Sequence, residues 1–154
     1  MDYFTRLGLV IEYDLDQALL EKKYLEQQKK FHPDQYLENK LEVIKVTMEI
    51  NAAYKTLKSD LKRAEYILSL HDINLEKVQA SHGFLIEAME DRQKLEAPQD
   101  LNSLLHEAND QIDAGIIKFK QFIAQRDIVN ATQEVIRLRY KKKFLEEIEF
   151  KLNS

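Results

Sequence analysis

A chain that reverses direction often needs glycine and proline, and this one has three of the first and two of the second in 154 residues. An all-β protein of that length needs a turn roughly every ten residues, each with its own punctuation. Leu, Lys, Glu, Gln and Ala, which lose little on entering a helix, fill most segments instead. The composition therefore predicts an all-α fold. With 44% apolar and 32% charged residues the chain has the profile of a soluble globular protein, long enough for one sizeable domain or two small ones.

Helical spacing organises the first half. A turn or two around Asp2 to Leu7 is predicted to end at Gly8, which suits a left-handed C-cap. Asp14 or Asp16 caps the next helix, which runs to about Phe31 with Leu20, Tyr24 and Phe31 on one stripe. The opposite side carries Lys22, Lys29 and Lys30, with Lys23 on its flank. Between Lys22 and Lys30 only Glu26 opposes four lysines, a local charge of about +3 on a chain of net charge −4. Taken alone, that is the pattern of a solvated helix face.

The lysine face leads directly into Phe31-His32-Pro33-Asp34. Pro33 has no N–H and disfavours helical dihedrals at His32, so the helix must end there and His32, Pro33 and Asp34 are displayed at a turn. After a polar loop from Gln35 to Lys40, Val43, Val46, Ile50, Ala53, Tyr54 and Leu57 recur at helical spacing. They predict a second helix antiparallel to the first, a helical hairpin with the His-Pro-Asp turn at its tip. Ser59 or Asp60 caps a further helix, Leu61 to Leu70, and Asp72 to Ala80 reads as a linker or a slack turn.

The second half reads as three helices, about His82 to Glu96, Leu101 to Gln125 and Ile128 to Leu152, which predicts a three-helix bundle. Pro98 stops the first or starts the second. In the helix from His82, Phe84, Ala88 and Leu95 share one face, whereas Leu85, Ile86 and Met89 lie on another. One helix of a three-helix bundle does not easily bury both. On the last helix Ile136 and Tyr140 lie nearly opposite Leu138, and both are therefore candidates for exposure. Such a cluster is either a partner site or packing against the rest of the chain.

Several chemistries fall away. There is no cysteine, which excludes disulfides, thiolate metal sites and cysteine nucleophiles. His32, His71, His82 and His106 lack the i, i+4 pairing of a helical metal site, so no metal and no cofactor is expected. No glycine-rich phosphate loop is present. A His-Pro-Asp turn offers no pocket and no third group to orient an acid–base pair, which argues against an enzyme. The net negative charge argues against a nucleic-acid partner, and no apolar run approaches the ~20 residues that cross a bilayer. A start of Met1-Asp2-Tyr3 fits neither a signal peptide nor a transit peptide, and the expectation is a cytoplasmic protein.

Helix, His-Pro-Asp loop, helix resembles the J domain of DnaJ-type co-chaperones. Ile50-Asn51-Ala52-Ala53-Tyr54-Lys55-Thr56-Leu57, Arg63-Ala64-Glu65-Tyr66-Ile67-Leu68-Ser69-Leu70, the opening Met1-Asp2-Tyr3-Phe4 and the overall length resemble, more narrowly, the HscB family of iron–sulfur cluster assembly. The resemblance spans the whole chain and implies a J domain over 1–72, a linker over 73–80 and a scaffold-binding domain over 81–154. It implies two partners: a DnaK-type ATPase of the HscA class, met by His32, Pro33, Asp34, Lys22, Lys23, Lys29 and Lys30, and the scaffold IscU, met by Leu85, Ile86, Met89, Glu90, Gln93 and Tyr140. Any iron–sulfur cluster then belongs to a partner. The chain departs from the family pattern at Gln35, often a lysine, and at Gln93 and Ala97, where acids are favoured. The alternatives are a J-protein with a different client and a helical adaptor whose tripeptide is incidental.

Overall fold

The computed structural model describes residues 1–32, 38–97 and 100–154, so Pro33, Asp34, Gln35 and Pro98 lie outside the described residues. Seven α-helices are present among them and no strand: α1 (Tyr3–Arg6), α2 (Gln17–Lys30), α3 (Lys40–Lys58), α4 (Asp60–Leu70), α5 (His82–Glu96), α6 (Leu101–Ala124) and α7 (Ile128–Leu152). The chain divides into two compact units, Met1–Ile67 and Leu68–Ser154, a division earlier than the expected end of the first domain at residue 72.

Side-chain caps set most helix starts. Asp2 accepts from the Thr5 N–H at 2.9 Å, and Gly8 follows α1 at φ +74°, the left-handed region that glycine enters without a Cβ clash. Of the two candidate caps for α2 it is Asp16 that accepts, from the Ala18 N–H at 2.9 Å. At α4 the Ser59 hydroxyl accepts from the Lys62 N–H at 3.2 Å.

In the first unit, Phe4, Leu7, Leu20, Ile50, Ala53, Leu57 and Ala64 form the buried core. Polar clamps close it. The buried Arg63 donates from Nε to the Tyr13 carbonyl at 2.8 Å, from Nη1 to the Leu57 carbonyl at 2.7 Å and from Nη2 to Asp60 Oδ1 at 2.8 Å. Its guanidinium also sits over the Tyr13 ring at 4.6 Å, and burial pushes the Tyr13 hydroxyl up to about 12. Tyr66 stacks on Tyr3 and accepts from the Tyr3 N–H at 2.8 Å, pinning α1 to α4. The Arg-Ala-Glu-Tyr run is thus a set of structural anchors. α2 and α3 form the antiparallel hairpin: Tyr24 stacks on Tyr54 with ring centroids 3.9 Å apart, its hydroxyl donates to Asn51 Oδ1 at 2.8 Å, and Thr47 donates to the Phe31 carbonyl at 3.2 Å.

In the second unit α6 and α7 form an antiparallel pair around Leu104, Ala108, Phe144 and Ile148. They approach so closely at Gly115 that a Cβ there would lie 2.6 Å from Leu138 Cδ2 and 2.9 Å from Glu134 Oε1. The stretch expected to be a linker is tied down: Leu75–Lys77 form a 3₁₀ turn, and Gln133 donates to the Gln79 carbonyl and accepts from the Ser81 N–H, both at 2.9 Å. Ile136 is buried, contrary to the expectation of exposure. α7 packs against α6 on one side and α5 on another, so residues nearly opposite the α6 stripe are covered as well.

α5 runs parallel to α7 and is held mainly by charge. Arg137 forks onto Glu87 with two bonds of 2.8 Å, and its Nη1 lies 3.1 Å from Glu134 Oε1. The buried Lys141 reaches Asp91 at 2.6 Å and Glu87 at 3.0 Å. The Arg137 hydrogen bonds, with help from Lys141, pull the Glu87 carboxyl down from 4.5 to about 2 against the opposing effect of its burial. A carboxyl depressed in the folded state stabilises it above its unfolded pKa and loses that contribution as pH falls through the folded one. Glu87→Gln is therefore expected to lower the melting temperature by a constant amount above about pH 5. The deficit should shrink as pH falls from 4.5 toward about 2. Melting curves of both proteins across that range check it; a deficit independent of pH would show that the charge of Glu87 plays no part.

Candidate chaperone and client surfaces

His32 is exposed immediately beyond α2, whose last N–H bond runs from Phe31, the C-cap, to the Gln27 carbonyl at 3.0 Å. It lines a groove of about 520 Å³ with Leu25, Gln28, Lys29, Phe31 and Thr47. Lys22, Lys29 and Lys30 are exposed on α2; Lys23 is half-buried, with its Nζ 3.9 Å from Glu26 Oε2, and Lys30 lies over the Phe31 ring at 5.3 Å. The structure thus gathers His32 and Lys29 in one groove and displays the other lysines on the same helix. The predicted members Pro33 and Asp34 lie outside the described residues.

Leu25 was not among the sequence candidates, yet it is 53% exposed beside His32. The signal was available: three residues after Lys22 and four before Lys29, it is a leucine on the lysine face. Cations around an apolar spot suit an acidic surface carrying an apolar contact of its own.

In the second unit Leu85, Ile86 and Met89 are 43%, 56% and 65% exposed, while Leu95 on the other face of α5 is buried. Leu85, Met89, Gln93 and Tyr140 come together in one groove of about 650 Å³, floored by Phe144 and the buried Asp91. Ile86 and Glu90 are exposed on α5 but do not line it. Leucine and methionine walls with a tyrosine edge suit an apolar side chain of a protein partner, Met adapting its shape and Tyr offering ring and hydroxyl. The Glu87, Asp91, Glu134, Arg137 and Lys141 network beneath this wall was also missed in the sequence. Its trace is Glu87 and Asp91 at i, i+4 on one helix facing Arg137 and Lys141 at i, i+4 on another.

Nothing in these surfaces gathers metal ligands: among the described residues no three His, Asp or Glu side chains cluster to hold an ion, and no helix is long and apolar enough to cross a membrane.

Known proteins share both halves. Residues 2–66 match the DnaJ domain, and residues 80–149 match the HscB C-terminal oligomerisation domain. A co-chaperone protein HscB homolog of Vibrio cholerae is 32% identical over 97% of this chain and 95% of its own, and the co-chaperone protein HscB of Proteus mirabilis is 32% identical over 97% and 94%. Among solved structures, chaperone HscB from Vibrio cholerae superposes with a TM-score of 0.86 at 31% identity, covering 99% of this chain and 98% of that one. Human co-chaperone protein HscB gives 0.88 at 27% identity, covering 98% and 82%. With both domains matched in order over nearly its full length, the chain belongs to the HscB family of J-domain co-chaperones.

Proposed function

We propose that this protein stimulates a DnaK-type ATPase of the HscA class and delivers the iron–sulfur scaffold IscU to it. The observation that supports this reading best is the pair of exposed surfaces: a basic helix ending at His32 in one unit, and an apolar groove with Leu85, Met89 and Tyr140 on its wall in the other. Lys22, Lys23, Lys29 and Lys30 dock on an acidic chaperone surface, electrostatics supplying rate and orientation. His32, with Pro33 and Asp34, then biases the chaperone toward the state that hydrolyses ATP and closes on its client. The energy comes from that ATPase, and the co-chaperone contributes binding energy alone. IscU meets Leu85, Ile86, Met89, Glu90, Gln93 and Tyr140.

Steady-state ATPase assays with HscA, with and without IscU, test the assignment. Stimulation that ignores IscU would point to a J-protein with another client, and no stimulation to an adaptor. His32→Gln should return the ATPase to its basal rate while leaving folding and IscU affinity intact, because the side chain is exposed. Retained stimulation would remove His32 from the mechanism. Lys29→Glu with Lys30→Glu should weaken chaperone docking by about tenfold at low salt, and the wild-type interaction itself should weaken as salt shortens the Debye length below ~10 Å. Salt-insensitive coupling would place docking elsewhere.

Leu85→Ala, Ile86→Ala and Met89→Ala together probe the second surface. As interface anchors each contributes roughly 1 to 3 kcal/mol of affinity, so IscU binding should fall by at least a hundredfold at an unchanged melting temperature. Core residues would instead lose ~2 to 5 kcal/mol of stability each, and a collapsed melting curve would refute the patch.

A further inference from the structure

Phe150 stands on α7 about three turns beyond Tyr140, with 76% of its surface exposed. It borders a second groove of about 400 Å³, whose other walls are Leu95 of α5 and Lys143, Glu146 and Lys151 of α7. Arg92, Lys143 and Glu147 line both this groove and the one holding Leu85, Met89 and Tyr140, so the two adjoin along one trough between parallel helices, with the Arg92–Glu147 ion pair at their common border. On a 100° wheel Tyr140, Lys143, Phe144, Glu147 and Phe150 fall within a stripe of about 120°, and at 1.5 Å per residue its ends are ~15 Å apart. One side chain cannot fill that length. A helix of about ten residues or an extended segment of about five does.

The charges along the trough are mostly spent. Arg92 is bridged to Glu147 at 3.0 Å, Lys151 donates to the Leu95 carbonyl at 2.9 Å, and Asp91 is neutralised from below by Lys141 at 2.6 Å. Among the described residues the Lys143 side chain makes no hydrogen bond or ion pair, and it is common to both apolar ends. A body lying across the trough takes water away from that ammonium and must offer it an anion in return. Glu146, likewise unpaired among the described residues, leaves a place for a donor on the outer lip.

We propose that the client spans the whole trough, setting one apolar side chain against Leu85, Met89 and Tyr140, a second against Leu95 and Phe150, and a carboxylate between them on Lys143. This rests on the first groove being the client site, and it deepens that reading by specifying the recognised element: an acidic residue between two apolar anchors. Adjacency argues for one occupant, since whatever fills the first groove also meets Arg92, Lys143 and Glu147, three of the seven residues that line the second.

Binding kinetics with IscU as the probe separate the contributions. Phe150→Ala should weaken affinity five- to fiftyfold, mainly through faster dissociation, as loss of an apolar anchor does. Lys143→Glu should mainly slow association, with a defect that shrinks as salt is added. Reversing the matching acid of IscU to lysine should restore binding to the Lys143→Glu protein. Both variants should keep the wild-type melting temperature and stimulation of HscA measured without IscU. Wild-type affinity in Phe150→Ala, with affinity lost in the Leu85, Ile86 and Met89 triple variant, would overturn the proposal and confine the client to the first groove. Wild-type affinity in both would remove the client from the trough altogether. Self-association lost on Phe150→Ala, with IscU affinity unchanged, would assign the second groove to another copy of this chain.

Discussion

Two carboxylates on α5 meet two cations on α7, and the exposed apolar groove of the second unit depends on that meeting. Without the Glu87–Arg137 fork and the Asp91–Lys141 pair, only Leu95 at one end of α5 is fully buried among its apolar residues. Such pairs add little net stability, because removing charges from water costs about what their attraction returns. What they supply is register. A guanidinium fork accepts a carboxylate in few geometries, and because the charges repeat at i, i+4 on both helices a slip of α5 by one turn would re-form one contact with exchanged partners and leave one carboxylate and one cation unpaired, a loss of several kcal/mol. The charges therefore select one alignment of α5 on α7, and that alignment sets Leu85 and Met89 opposite Tyr140.

The first unit solves the matching problem with other chemistry. Its exposed group, His32, follows directly on a helix end, where any fraying would blur its position. Thr47 of α3 donates to the Phe31 carbonyl, and the Tyr24–Tyr54 stack ties the middle of α2 to the same helix. Aromatic faces and hydroxyls suffice because both helices also share a buried apolar core of Leu20, Ile50, Ala53 and Leu57. The lysine face is largely exposed, with Lys22, Lys29 and Lys30 on the surface of α2. Reversing its charges is thus a change of surface potential with little effect on packing.

Fold class and helix limits were legible in the sequence because they rest on local rules. The scarcity of turn residues excludes sheets, and single side chains such as Asp2 and Asp16 fix where helices begin. The exposed faces of α5 were legible too, since a helix with apolar residues on two sides exceeds what one neighbour covers. Ile136 was misread for the complementary reason: a wheel drawn for one helix assumes one covered face, and α7 has two neighbours. The polar network escaped for lack of a rule that pairs charges between helices whose relative register is unknown. Glu87 and Arg137 are fifty residues apart, and nothing local distinguishes them from solvated charges. The second groove stayed hidden on the same ground, for Phe150 alone is an ordinary exposed apolar residue until α5 is placed beside it.

These features follow from one constraint. A helix that leaves its apolar side chains exposed cannot also use them to hold itself in place. Leu85, Ile86 and Met89 are withheld from the core of their own unit, and the attachment of α5 must come from residues on its other sides. Apolar substitutes at positions 87 and 91 would pack against α7 without specifying a register, and they would widen an already exposed patch toward non-specific association. Charged pairs attach the helix and discriminate against misaligned packings. The ionic ladder beneath the groove is therefore the counterpart of the apolar groove above it: the more apolar surface α5 leaves exposed, the more its own position has to be fixed by charge.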